Sequence, residues 1–141
     1  MKIAVYPGSF DPITKGHLHI LKVGAEIFDK VIIAVAKNPD KKGFLPTEER
    51  VKLIKESITH LDNVEVDSFE GLTIEYAKKC GAKVLIRGLR AVSDFEYELQ
   101  LSQANSALCE ELRTVFLTTK PKYNFISSST IKEIYLNNGD I

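Results

Sequence analysis

The feature that most constrains the fold is the regular alternation of short β-branched runs with longer stretches of helical periodicity. Several of the short runs are apolar at every position, as in strands that helices cover on both faces, and such strands belong to parallel sheets. The sequence therefore predicts an α/β fold, a single Rossmann-like doubly wound domain with a five-stranded parallel sheet flanked by helices. The predicted strands lie at residues 3–6, 31–35, 64–66, 84–86 and 115–117.

Helices are predicted between and after these strands, and some of their ends carry local signals. Glu48 and Glu49 suit the positive end of a helix dipole, Ser93 with Glu96 fits a capping box, and Gly81 fits the position after a helix end. The carboxyl edge of an open α/β sheet is where ligands bind, and four polar loops follow strands there. The predicted helices are near 17–28, 48–59, 73–79, 94–108 and 129–137, and the loops are 7–16, 37–46, 87–93 and 119–128.

Charge and cysteine content argue against several classes of function. Nineteen basic and nineteen acidic residues cancel, so no global field attracts a polyanion such as duplex DNA. Cys80 and Cys109 lack metal-site spacing and are expected to be reduced thiols. No apolar run approaches the roughly 20 residues that span a bilayer. We therefore expect a cytoplasmic protein that binds neither nucleic acid nor membrane.

The loop after the first predicted strand has the composition of a phosphate site. Gly8 and Gly16 allow backbone to come close to a ligand, and the following helix start offers unpaired N–H groups. His17, in the first helical turn, can donate a hydrogen bond to a phosphate oxygen. The alternative is a tight turn in which His17 only caps the helix.

Three further loops carry donors of the same kind. Arg87 and Arg90 stand where a buried strand ends, and a planar guanidinium matches phosphate oxygens; the alternative is a pair of surface salt bridges. Residues 127–130 are consecutive hydroxyl residues before a predicted helix, where ordinary caps are the alternative. Lys41 or Lys42 could reach into the cleft from a basic loop that is otherwise a solvated turn.

The four loops supply phosphate-type donors, and no pairing of nucleophile and base stands out. A phosphomonoester is largely dianionic at neutral pH, so a substrate phosphate can attack without a general base. The remaining work is to align two anions and to neutralise the charge that develops on the transferred group. Histidine, lysine, arginine, backbone N–H groups and Mg²⁺ can do that work, which points to transfer between phosphates.

Two short segments make the chain resemble a known family. Residues 14–17, Thr-Lys-Gly-His, are similar to the T/H-x-G-H signature of the nucleotidylyltransferase superfamily, and residues 126–132, Ile-Ser-Ser-Ser-Thr-Ile-Lys, to its I-S-S-S/T-x-x-R/K signature. The 85–98 block occurs together with these two segments in the order and spacing of one family. The chain therefore resembles the phosphopantetheine adenylyltransferases over essentially its whole length. That resemblance implies reversible transfer of AMP from ATP to 4′-phosphopantetheine, giving dephospho-coenzyme A and pyrophosphate in coenzyme A biosynthesis.

The resemblance also implies a role for each matching residue. His17 would stabilise the transition state, with Lys41 and Arg90 as further catalytic groups. The acceptor 4′-phosphopantetheine would contact Ser9, Lys41, Thr73 and Arg87. Mg²⁺ would be held by substrate oxygens and water, with no protein side chain as a metal ligand. The residues implied for the ATP site are Ser9, Phe10, His17, Gly88, Leu89, Arg90, Glu98, Tyr123, Asn124, Phe125, Ile126, Ser127, Ser128 and Ser129.

The family pattern also sets expectations for assembly and for chain length. It implies a homo-oligomer, a hexamer, with coenzyme A as a candidate feedback ligand. Ser9 stands where the family often has threonine, which keeps the hydroxyl. The chain stops at Ile141 whereas family members continue through a further C-terminal helical segment, so the expectation is one nucleotidylyltransferase domain, residues 1–141, without that last segment.

Two rival functions stay open on the sequence. One is another superfamily member, such as a cytidylyltransferase acting on a phosphorylated alcohol or an adenylyltransferase acting on a mononucleotide. The run of three serines at 127–129 and the Arg-Gly-Leu-Arg stretch at 87–90 favour the phosphopantetheine branch. The other is a nucleotide-binding module without turnover on the same kind of sheet.

Overall fold

The structure, a computed structural model, describes residues 1–37, 44–89 and 92–118. All five predicted strands and the first four predicted helices are confirmed there, while the predicted helix at 129–137 lies outside the described residues. In chain order the elements are β1 (Ile3–Gly8), α1 (Lys15–Ile27), β2 (Lys30–Ala36), α2 (Thr47–Ser57), β3 (Val64–Phe69), α3 (Thr73–Lys79), β4 (Val84–Leu89), α4 (Val92–Leu108) and β5 (Arg113–Thr118).

The five strands form one parallel sheet in the order β3-β2-β1-β4-β5. The chain winds outward from β1 to β3 and then returns to the other side of β1 to build β4 and β5. Because β1 and β4 are neighbours whose following connections lead in opposite directions, their carboxyl ends form the switch point where such sheets bind ligands. The predicted Rossmann-like fold class is confirmed.

Each face of the sheet has its own core. On one face, Ile20 of α1 and Ile54 of α2 join a cluster with Ile33 of β2, and all three are at most 1% exposed. On the other face, Ile74 of α3 packs in a cluster with Leu85 of β4. A fully buried aliphatic side chain contributes roughly 1.5–3 kcal/mol, so both layers hold the sheet in place. Helices on both faces are what the apolar strands predict.

Most predicted helix ends agree with the structure to within two residues. Glu48 and Glu49 lie in the first turn of α2, and Gly81 follows the end of α3 with a φ of 73°, a conformation that favours glycine. The predicted capping box at Ser93 is wrong, because α4 already begins at Val92 and Ser93 lies inside the helix. No helix in the described ranges is long and apolar enough to cross a membrane.

Candidate active site

The carboxyl ends of β1 and β4 bring the first loop and the arginine segment together. Arg87, near the end of β4, donates a hydrogen bond from Nη1 to the carbonyl oxygen of Pro7 in β1 at 3.2 Å. A Cβ built on Gly88 would lie 3.7 Å from the Tyr6 hydroxyl and 3.4 Å from Ile20, which are ordinary contact distances. The two segments that the sequence placed at one sheet edge are therefore in direct contact at the switch point.

His17 both caps α1 and keeps a donor on its other nitrogen. Thr14 is the N-cap: its Oγ1 accepts from the His17 N–H at 3.2 Å, and its own N–H donates to His17 Nδ1 at 3.0 Å. An Nδ1 that accepts a hydrogen bond carries no proton, so the neutral ring carries its proton on Nε2. The capping role and the donor role, which the sequence left as alternatives, are compatible because they use different nitrogens.

Aromatic packing fixes the orientation of this imidazole. The Phe10 ring meets the His17 ring edge to face with centroids 5.0 Å apart, and it meets Tyr6 in the same way at 5.1 Å. Phe10 is 3% exposed although its φ is 45°, in the left-handed region that non-glycine residues seldom adopt. Ser9, the residue before it, is exposed. The loop thus buries the Phe10 ring beneath His17 and leaves Ser9 at the surface.

Two charged residues that were not predicted from the sequence hold this loop through hydrogen bonds. Asp11, which is 4% exposed, accepts from the N–H groups of Phe44 and Leu45 at 2.6 and 2.7 Å. Arg50 of α2 is 7% exposed and donates to the carbonyl oxygen of Ser9 at 3.0 Å. An acid within a loop otherwise suited to phosphate was the one available signal, while Arg50 sits in a charged stretch typical of an exposed helix.

The other predicted site residues divide into those that the structure describes and those that it does not. Thr73 begins α3 and is half-buried at the same sheet edge, but it follows β3, two strands away from β1, or roughly 10 Å. Leu89 ends β4 beside Gly88. Glu98 lies within α4, and the structure describes its backbone only. The predicted residues outside the described ranges are Lys41, Arg90, Tyr123, Asn124, Phe125, Ile126, Ser127, Ser128 and Ser129.

The described donors suit phosphate oxygens better than a metal ion. They are the imidazole of His17, the guanidinium of Arg87, the hydroxyls of Ser9 and Thr73, and backbone N–H groups. Within residues 1–37, 44–89 and 92–118, no cluster of three or more His, Cys, Asp or Glu side chains could hold a metal ion. Such a donor set can bind the oxygens of two phosphate groups.

Comparison with known proteins identifies the family and supports the fold. Residues 5–134 match the model of the cytidylyltransferase-like family. A phosphopantetheine adenylyltransferase from Clostridium novyi is 53% identical over 141 residues, 100% of this chain and 88% of the relative. One from Geotalea daltonii is 54% identical over 141 residues, with the same two coverages. A crystal structure of a bifunctional NMN adenylyltransferase/ADP ribose pyrophosphatase from Francisella tularensis has a TM-score of 0.71 at 19% identity and shares the fold, covering 99% of this chain and 43% of that one.

Proposed function

Because the chain belongs to the phosphopantetheine adenylyltransferases of the cytidylyltransferase-like family, we propose that it transfers AMP from ATP to the phosphate of 4′-phosphopantetheine. The products are dephospho-coenzyme A and pyrophosphate, and the reaction is a reversible step of coenzyme A biosynthesis. The enzyme is a nucleotidyltransferase. The observation that carries the proposal is the fixed His17 ring beside the junction of β1 and β4, with its proton on Nε2 and Arg87 bonded to β1.

The reaction needs alignment and charge neutralisation rather than a protein nucleophile. The acceptor phosphate attacks the α-phosphorus of ATP in line, and the bond to the departing pyrophosphate breaks. His17 Nε2–H donates to a nonbridging oxygen of the α-phosphate, where negative charge increases in the transition state. Arg87 and Lys41 bind the acceptor phosphate and hold it near ATP, and Arg90 neutralises charge on the transferred group.

The remaining residues are divided between the two substrate-binding sites. Ser9 and Thr73 contact 4′-phosphopantetheine, and Ser9 and Phe10 also meet ATP through backbone groups. Gly88, Leu89, Arg90, Glu98 and residues 123–129 complete the ATP site. Mg²⁺, when bound, is held by phosphate oxygens and water and neutralises charge on the ATP phosphates.

Pyrophosphate release is the test of this function. We expect release from ATP and Mg²⁺ that depends on 4′-phosphopantetheine, with dephospho-coenzyme A formed in equal amount. Chelation of Mg²⁺ with EDTA should abolish the release, and restoring Mg²⁺ should recover it. Release confined to CTP, or to a mononucleotide acceptor, would contradict the assignment within the superfamily, and ATP binding without turnover would favour the nucleotide-binding module.

Assembly, regulation and location are proposed on the family resemblance. The number six comes from the resemblance alone, while apolar side chains that stay exposed in the described part of the chain, among them Leu72 at 59% and Leu108 at 67%, are available for contacts between subunits. Sedimentation velocity should give a particle of six chains, whereas a monomer would contradict the proposal.

Coenzyme A, which shares the pantetheine arm, should inhibit competitively with 4′-phosphopantetheine. A cytoplasmic location is consistent with the two free thiols, Cys80 and Cys109.

A further inference from the structure

Phe10 combines a strained backbone with a buried side chain. Its φ of 45° lies in the left-handed region, which is unfavourable for a residue with a side chain, and such a conformation persists only where surrounding contacts hold it. No acceptor in the described part of the chain takes the Phe10 N–H. A buried residue with an unused backbone donor is suited to receive a ligand oxygen.

Arg50 supplies the contact that holds this turn. Its guanidinium donates from Nη1 to the Ser9 carbonyl oxygen at 3.0 Å, from Nε to the Leu45 carbonyl oxygen at 3.0 Å, and from Nη2 to Thr47 Oγ1 at 3.2 Å. Among the described residues its charge has no carboxylate partner, and neutral oxygens accept all three bonds. The buried guanidinium therefore orients backbone carbonyl groups, and one of them belongs to the Ser9–Phe10 peptide.

Asp11 makes the support of the turn two-sided. Its carboxylate accepts from the N–H groups of Phe44 and Leu45, while Arg50 Nε donates to the carbonyl oxygen of Leu45. Asp11 follows Phe10 and Ser9 precedes it, so both ends of the strained residue are tied to the segment that begins α2. The turn is therefore held against α2 rather than only against its own strand.

Because the peptide group is planar, the hydrogen bond to the Ser9 carbonyl also fixes the direction of the Phe10 N–H. In a trans peptide the C=O and the following N–H point in opposite directions. With the Ser9 carbonyl bonded to Arg50, the Phe10 N–H is directed away from the guanidinium. A cationic donor on the carbonyl also polarises the peptide and makes its N–H a stronger donor.

We propose that Arg50 is a positioning residue for AMP transfer: it fixes and polarises the Ser9–Phe10 peptide so that the Phe10 N–H donates to a phosphate oxygen of ATP. The inference rests on the proposed function, since the ligand is the nucleotide of that same site. Arg50 itself touches no substrate, and its effect passes through one peptide plane.

The matched variants are Arg50→Met, Arg50→Lys and Asn63→Ala. Methionine keeps much of the side-chain length and loses every donor, while lysine keeps the charge but lacks the planar fork that places donors on three separate nitrogens. Asn63 is the control because it too is a side-chain donor to backbone: its Nδ2 lies within hydrogen-bonding distance of the carbonyl oxygens of Ala25, Phe28 and Asp29, at the opposite edge of the sheet. All variants are assayed well below their unfolding midpoints.

At saturating substrates, Arg50→Met should lower kcat about 10- to 100-fold, since a displacement of about 1 Å of a positioning group can cost that much. Arg50→Lys should fall between Arg50→Met and the wild type, and Asn63→Ala should lower the Tm but leave kcat unchanged. If Arg50→Met lowers the Tm as Asn63→Ala does and retains the wild-type kcat, Arg50 is merely structural and the proposal is wrong.

A second measurement separates this inference from the proposed function. With the seven phenylalanines labelled with ¹⁵N, addition of ATP should shift the Phe10 amide proton downfield in the wild type and much less in Arg50→Lys. That shift without pyrophosphate release would support the orientation of the Phe10 N–H toward ATP by Arg50, while the transferase function fails. A Phe10 amide that does not respond to ATP in an active wild-type enzyme would overturn the role of Arg50 alone.

Discussion

In the proposed mechanism, His17 serves the helix and the substrate through different nitrogens. Nδ1 accepts the Thr14 N–H and completes the cap of α1, and this bond places the ring proton on Nε2. Contact with the Phe10 ring at 5.0 Å between centroids limits rotation of the imidazole. The side chain is therefore held in position before a substrate arrives, as transition-state stabilisation by a preorganised donor requires.

His17→Ala should lower kcat by roughly 10²–10³, because a transition-state donor is lost. The matched control is Thr14→Ala, which removes the Oγ1 cap and should cost about 1 kcal/mol of stability but keeps the Thr14 N–H that orients Nδ1. Steady-state pyrophosphate release and urea unfolding measure the two effects. Equal losses of kcat in both variants would mean that His17 acts only as a cap.

Gly8 is needed for packing rather than for an unusual backbone conformation. A Cβ at this position would lie 3.0 Å from Cζ of the Phe10 ring, and its φ is not in the left-handed region. The sequence suggested close approach of a ligand at this glycine, and the close neighbour in the structure is the ring beneath His17. The two explanations are compatible, because a displaced ring would disturb the His17 side of the site.

Gly8→Ala should destabilise the protein by about 1–3 kcal/mol through overpacking, and it should also lower kcat because the Phe10 ring contacts His17. Gly81→Ala is the comparison: its φ of 73° makes alanine strained by about 1–2 kcal/mol, with no neighbour within 4 Å of the new Cβ. That variant should lose stability and keep its kcat. Wild-type stability and activity in Gly8→Ala would contradict the steric argument.

Among the elements, α3 is joined to β3 by a tyrosine that makes both a hydrogen bond and a ring contact, in addition to the apolar packing of α3. The Tyr76 hydroxyl donates to Asp67 Oδ2 at 2.6 Å, and its ring stacks on Phe69 with centroids 4.7 Å apart. Burial raises the pKa of Tyr76 above its usual value near 10, and the hydrogen bond to Asp67 and the neighbouring Cys80 raise it further. Because α3 has only seven residues, this side-chain attachment matters more than its own helical hydrogen bonds.

The raised pKa gives a pH dependence with a definite sign. The folded state favours the protonated hydroxyl, so its contribution to stability is complete below the unfolded pKa near 10 and is lost as pH rises beyond it. Tyr76→Phe should therefore be less stable than the wild type by about 1 kcal/mol at pH 8, and the gap should narrow at pH 11. Urea unfolding of both proteins at the two pH values measures this, and a constant gap would contradict it.

At the scale of the whole molecule, two cores hold one sheet, and the site lies where the winding reverses. The cluster under α1 and α2 fixes the helix that presents His17, and the cluster under α3 supports β4 with Arg87. Arg50 and Asp11 add a polar link between α2 and the first loop. Core packing and the candidate site are coupled because the same helices supply both.

Leu21→Ala should destabilise the protein by about 2–5 kcal/mol, since Leu21 of α1 is completely buried and truncation leaves a cavity. Leu108→Ala makes the same chemical change at a side chain that is 67% exposed, and it should alter the monomer's stability by no more than about 0.5 kcal/mol. Chemical denaturation compares the two. Similar losses in the monomer would contradict the argument that burial in the core sets the cost of truncation.

The strands, the sheet edge of the candidate site and the placement there of Ser9, His17 and Arg87 were predictable from the sequence alone. These features are local: apolar runs identify buried strands, and short motifs follow them directly. Predictions for Lys41, Arg90 and residues 123–129 stay predictions, because they lie outside the described residues.

The way in which the first loop is held became visible only in the folded chain. The bonds from Asp11 to Phe44 and from Arg50 to Ser9 join residues 33 and 41 positions apart, so no periodicity or short motif encodes them. An arginine after two glutamates at a helix start is typical of a solvated surface, and Arg50 became buried only because α2 packs beside the loop. Strand order brought Arg87 onto β1 in the same way, since pairing of β1 with β4 depends on the reversal of winding across the whole sheet.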